Sequence, residues 1–117
     1  MAVKKIHHIN FLVQDIDEGI NRYTALFGIE GFVQEALPGR GVITARAALG
    51  DQWLVLVQPL DADGIPGKHL AEHGEGFFLL SLSTVEVGNP RDGILDWQVE
   101  DLGEVHGAQF QLTRDSD

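Results

Sequence analysis

The chain has 117 residues, 44% of them hydrophobic, with a formal net charge of −10 from 18 acidic and 8 basic side chains. That length suits one domain with a sizeable core, and that charge repels phosphate backbones and anionic lipids, so nucleic acid and membrane surfaces are excluded as expected partners. There is no cysteine, which removes disulfides and thiol nucleophiles. No apolar run approaches the roughly 20 residues of a membrane span, and His7 and His8 follow the first residues in place of an apolar leader core. A cytoplasmic protein is expected.

The first element, Ile6 to Val13, reads as a strand. Alternation puts His7, Ile9, Phe11 and Val13 on one face and His8, Asn10 and Leu12 on the other. The first face is apolar enough to meet a helix. The second suits a ligand-lined surface. Asp15 then caps a helix, with Glu18 as its capping-box partner. Ile16, Ile20, Tyr23 and Phe27 recur at helical spacing, and Gly28 ends the helix in a left-handed position.

Phe32 to Leu37 reads as a second strand, closed by a Pro38-Gly39 turn. Val42 to Leu49 and Trp53 to Val57 read as a hairpin around Gly50-Asp51. A connector follows from Asp61, with a short helical stretch from Lys68 to His73. Phe77 to Ser83 is the fifth strand, and Ile94 to Val99 and Ala108 to Thr113 are further strands.

The two halves look like a repeat of unequal completeness. The opening strand of the first half runs into a capped helix. Its counterpart, Leu79 to Leu82, runs into Thr84 to Pro90, too short and too rich in Gly and Pro for an equal helix. Either that helix is deleted, or a flexible stretch between Val87 and Gly88 is missing from the sequence. A missing helix leaves a sheet face uncovered, which favours self-association. A homodimer is expected.

Residues 6–17, from Ile6-His7-His8-Ile9-Asn10 to Asp15-Ile16-Asp17, together with Tyr23 and Leu26-Phe27-Gly28, resemble the vicinal oxygen chelate superfamily. This group includes glyoxalase, bleomycin-resistance, dioxygenase and methylmalonyl-CoA epimerase proteins. Leu56 to Leu60 and His69 to Gly76 resemble the epimerase branch in particular. The resemblance is good from Lys5 to Leu82 and weak beyond. It implies an α+β fold of paired strand–helix–three-strand modules, whose curled mixed sheet surrounds a cleft. Module one spans about residues 1–60, the connector 61–75, and module two, lacking most of its helix, 76–117.

The resemblance also implies a divalent metal in the cleft. His8 matches the first ligand position, and the other three fall on Val55, Leu79 and Gln111. Two of these are apolar, and Gln111 offers only an amide oxygen. A catalytic divalent site usually has about three charged or imidazole ligands, so no cofactor is expected. His8 and Gln111 are the weak metal candidates. No cluster of basic residues replaces the ion, and Arg40 and Arg46 are the nearest by sequence.

Each candidate also has a plainer reading. A strand histidine among apolar neighbours more often packs or hydrogen-bonds than ligates. His7 reads as structural. His69 and His73 share a helix face at i, i+4 spacing, a solvated face before a metal pair. His106 reads as exposed, and Glu72 and Glu75 as surface charges. The expected cleft lining is His8, Asn10, Trp53, Val55, Phe77, Leu79, Ser81, Gln109 and Gln111: mostly apolar, with a few polar points, as small-molecule pockets usually are.

The implied function is binding of a small organic molecule without the usual metal, as in bleomycin-resistance proteins. A metal-dependent isomerase or lyase of the epimerase type, and a ligand-free dimeric interaction module, are the alternatives.

Overall fold

A computed structural model describes residues 3–93 and 97–114. Helix α1 (Ile16–Phe27) starts at Asp15, whose carboxylate accepts the Glu18 backbone N–H at 3.0 Å. Glu18 does not complete a capping box. It pairs instead with Arg22 one turn on, at 2.8 Å. A second tie holds the helix entry, because Ile16 N–H donates to the Gln58 side chain at 2.8 Å. Gly28 closes the helix at φ 67°, a conformation that glycine adopts without steric penalty.

The strands are β1 (Val3–Leu12), β2 (Val33–Leu37), β3 (Val42–Leu49), β4 (Gln52–Pro59), β5 (Gly76–Thr84), β6 (Arg91–Asp92), β7 (Gln98–Val105) and β8 (Ala108–Arg114). They form one mixed sheet in the order β2-β3-β4-β1-β5-β8-β7-β6. Strand β1 runs parallel to β4, and β5 runs parallel to β8; the other pairings are antiparallel. The order is a repeat about the β1–β5 seam: each half starts at the seam and ends at an edge.

The second half has no helix after its opening strand. Residues 85–90 pass directly from β5 to β6, as the Gly/Pro-rich sequence implies. Helix α2 (Ile65–His73) begins three residues before the stretch read from sequence, because Pro66 sits in its first turn, where a missing N–H is harmless. Strand β7 begins at Gln98 and runs to Val105. The expected strand from Ile94 lies partly on residues 94–96, outside the described ones. Strand β6 carries no sequence signal of its own.

Two clusters of buried side chains lie on opposite faces of the sheet. On the convex face Val13, Ile16, Ala45 and Leu56 pack with Phe11, Ile20 and Tyr23 beneath α1. Phe27, expected to belong to this face, is 66% exposed and meets the Tyr23 ring edge-on. On the concave face Leu12, Val42, Val55, Val57, Phe78 and Leu79 form the second cluster, with Leu70, Trp53 and Trp97 against it.

Candidate functional site

The concave face owes its composition to two β-bulges. On β1, Ile6 pairs with Leu82 and His8 with the next residue, Ser81, so His7 is an extra residue. A bulge breaks strict alternation and re-aims side chains. His7, expected on the face opposite His8, is instead beside it, the two Nδ1 atoms 2.9 Å apart. On β5 the extra residue is Phe78, between the Asn10–Leu79 and Phe11–Phe77 pairs. Phe77 is therefore turned outward, 43% exposed and edge-on to Phe11. Phe78 takes the inner place that alternation assigned to Phe77.

The concave face holds a cleft of about 380 Å³. Its apolar wall includes Leu37, Val42, Val57, Phe78 and Leu79, and its polar points are His8, Asn10, Thr44 and Gln111. Of the expected lining, His8, Asn10, Leu79 and Gln111 form this wall. Val55 and Ser81 share the face but are fully buried beneath it. Trp53 and Gln109 lie beside the cleft, outside its wall.

His8 is 2% exposed and sits in a chain of hydrogen bonds. Gln111 donates to Asp101 at 3.0 Å, which leaves its carbonyl oxygen to face the His8 ring. The Nδ1 atoms of His7 and His8 share a hydrogen bond of 2.9 Å. Asp101 is gripped in turn by Arg91, at 2.6 and 2.9 Å. Burial, then the charge of His7, pushes the His8 imidazole down to about 3, against the opposing hydrogen bond to Gln111. His8 is thus neutral at physiological pH. Asp101 is held below the usual carboxylate range, because hydrogen bonds from Arg91 and Gln111 outweigh its desolvation.

Trp97 covers this histidine. Its indole stacks on His8 with centroids 4.7 Å apart and planes 22° from parallel, and meets His7 edge-on at 4.6 Å. Arg46 extends the stack, its guanidinium 4.6 Å from the centre of Trp53 and 5.1 Å from that of Trp97. Arg46 thus serves this cation–π layer, and its Nε is buried without a hydrogen-bond partner among the described residues.

The family's metal does not fit this arrangement. The expected ligand positions Val55 and Leu79 carry no donor atom, and the Gln111 side chain, an amide, already donates to Asp101. His7 adjoins His8, while the other three histidines lie elsewhere. His69 packs edge-on to Phe78, 4.5 Å from the His73 ring, and His73 is exposed beside Glu72. His106 is an exposed turn residue at φ 51°. Glu75 accepts the Gln14 backbone N–H at 2.8 Å.

Sequence reasoning missed three site residues. Arg91 lines the cleft together with Arg40, so basic residues do converge there, contrary to expectation. The reason is the curl of the sheet, which brings its two ends together. Asp101 and Trp97 were missed because the pattern around them is weak. Its large aromatic side chain, inside the stretch Ile94 to Val99 read as a strand, is the one signal that could have marked the latter.

The match to known proteins agrees with this geometry. Residues 7–92 match the model of the Glyoxalase/Bleomycin resistance protein/Dioxygenase superfamily. No curated protein matches the chain. Among solved structures, Streptomyces coelicolor methylmalonyl-CoA epimerase in complex with 2-nitronate-propionyl-CoA superposes with a TM-score of 0.90 at 25% identity, covering 99% of this chain and 100% of that one. A hypothetical protein from Bacillus halodurans gives 0.86 at 20% identity over 97% and 95% of the chains. Mycobacterium tuberculosis methylmalonyl-CoA epimerase gives 0.84 at 19% over 98% and 90%. The chain belongs to the Glyoxalase/Bleomycin resistance protein/Dioxygenase superfamily, and its structural resemblance runs to the methylmalonyl-CoA epimerase branch.

Proposed function

We propose that this chain binds a small organic molecule in its concave cleft without the divalent metal usual in the superfamily. The carrying observation is the donor set around His8: the expected ligand positions Val55 and Leu79 are apolar, and Gln111 offers only an amide that already donates to Asp101. That set falls short of the roughly three charged or imidazole ligands of a catalytic divalent site. Asn10 supports the binding role, since it lines the cleft and its Oδ1 has no protein partner among the described residues. A ligand N–H or O–H would satisfy it. The ligand-contacting set is then His8, Asn10, Leu79 and Gln111, with Trp53, Val55, Ser81 and Gln109 shaping the face behind and beside them. The whole chain acts as one domain of two modules.

Metal analysis of the purified protein tests this reading. Less than stoichiometric metal is expected. Stoichiometric, tightly held metal that is lost on His8→Ala would overturn it.

A second reading, a metal-dependent isomerase or lyase of the epimerase type, draws on the 25% identity to the Streptomyces epimerase. It needs further ligands beside His8, since Val55 and Leu79 supply none. Metal-dependent exchange of the α-proton of methylmalonyl-CoA in deuterated buffer would favour it. The third reading, a ligand-free module, has less support because the cleft is open. Self-association is compatible with all three. Leu80, Leu82 and Phe110 lie half-buried on the convex face of module two, where a second copy would cover them. None of the described helices is long and apolar enough to cross a membrane, in keeping with a cytoplasmic setting.

A further inference from the structure

The cleft has a charge opposite in sign to that of the chain. The protein carries 18 acidic and 8 basic side chains. Yet among the described residues that form the cleft wall there are two arginines and no carboxylate. The two come from opposite ends of the sheet. Arg40 ends the short 3-10 turn between β2 and β3, and Arg91 opens β6.

The two guanidiniums are not equivalent. Arg91 is engaged, donating twice to Asp101 and once to the Asp92 carbonyl. Arg40 makes no hydrogen bond or ion pair among the described residues. The acidic groups close enough to act on it are Asp92, Asp101 and Glu35. Asp101 is already saturated by Arg91 and Gln111. Burial and the charge of Arg91 hold the Arg40 guanidinium below the usual arginine range, outweighing those three carboxylates. A cation destabilised in this way is relieved by an incoming anion.

The rest of the wall fixes the other half of the ligand. Leu37, Val42, Val57, Pro66 and Phe78 give the cleft that Arg40 lines a largely hydrocarbon wall. A ligand body seated on that wall shields part of an ion pair with Arg40 from water, which strengthens a charge-assisted hydrogen bond. The other polar points of the wall, His8, Asn10, Thr44 and Gln111, are all neutral.

We infer that Arg40 anchors the anionic group of the ligand, and that the cleft takes a compact aryl or branched-alkyl carboxylate with its apolar body against Phe78 and Val57. This rests on the small-molecule reading above and narrows it to one chemical class.

The test uses matched probes that differ only in charge: 1-naphthaleneacetate against 1-naphthaleneacetamide, and 4-phenylbutyrate against 4-phenylbutyramide. Each is titrated into the full chain by calorimetry and by tryptophan fluorescence. Each acid should bind about tenfold or more tightly than its amide. Arg40→Gln should abolish that preference, and because Arg40 is exposed the variant should retain the wild-type circular dichroism. Equal affinity of acid and amide for the wild type, or a preference that survives Arg40→Gln, would overturn the assignment of Arg40 while leaving the small-molecule reading intact. If none of the four probes binds at millimolar concentration, the ligand class inferred here is overturned, while the broader small-molecule reading stands on its own test.

Discussion

Module one and module two share a strand order but divide the work. Module one has its convex face sealed by α1, with Ile16 and Leu56 buried beneath it. On its concave side it supplies Leu37, Val42 and Val57 to the apolar cleft wall. Module two has a six-residue connection where that helix would be. Gly88 N–H donates to Glu100 at 3.1 Å, so the connection crosses the convex face near Leu112 and leaves Leu80, Leu82 and Phe110 half-exposed. On its concave side module two supplies Gln111, Asp101, Arg91 and Trp97, the polar network and the indole that hold His8. The difference teaches that stability and chemistry can be carried by different halves of a duplicated sheet. The half whose sequence pattern is clean builds the core. The half whose pattern is weak sets the state of the site.

The comparison can be broken most sharply at the two convex faces. Leu56→Ala empties a fully buried site under α1 and should cost about 2–5 kcal/mol, whereas Leu82→Ala on the open face should cost under about 1 kcal/mol. Urea denaturation of both variants at micromolar and sub-micromolar protein reads the difference. A large, concentration-dependent effect at Leu82 would mean that a second copy covers module two.

The next effect is the pH dependence of stability. His8 has an ordinary imidazole pKa when unfolded and about 3 when folded. Protons therefore bind the unfolded chain first, and stability present above pH 6.5 is lost as pH falls toward 3. The slope approaches about 1.4 kcal/mol per pH unit, so about 2 kcal/mol should be lost between pH 6.5 and 4.5. His8→Gln should flatten that slope. Asp101, held below its ordinary range, adds its own loss only at lower pH. An unchanged slope in His8→Gln would place the titration elsewhere.

Module two's hold on His8 is tested by Gln111→Leu. The substitution leaves the His8 N–H without its acceptor and should cost about 1–2 kcal/mol. It should also alter the fluorescence of Trp97, which stacks on that ring. A variant with wild-type emission and stability would sever the proposed link between the modules. The smallest effect belongs to module one: Asp15→Ala removes the cap of α1 and should cost about 1 kcal/mol in thermal denaturation, with no change in ligand binding.

Residue order alone determined the local elements. The Asp15 cap, the Gly28 stop, the hairpin from Val42 through Gly50-Asp51, and the loss of the second helix each follow from steric and hydrogen-bonding rules acting within a few residues. The same pattern carried the superfamily resemblance and put His8 on the concave face, because a strand's alternation is local. Tertiary structure decided the rest. Whether alternation holds depends on the neighbouring strand, and the bulges at His7 and Phe78 arise from the pairing of β1 with β5, distant in sequence. The meeting of Arg40 with Arg91, and of Trp97 with His8, depends on how far the sheet curls. That curl is a property of all eight strands together, and no window of sequence contains it.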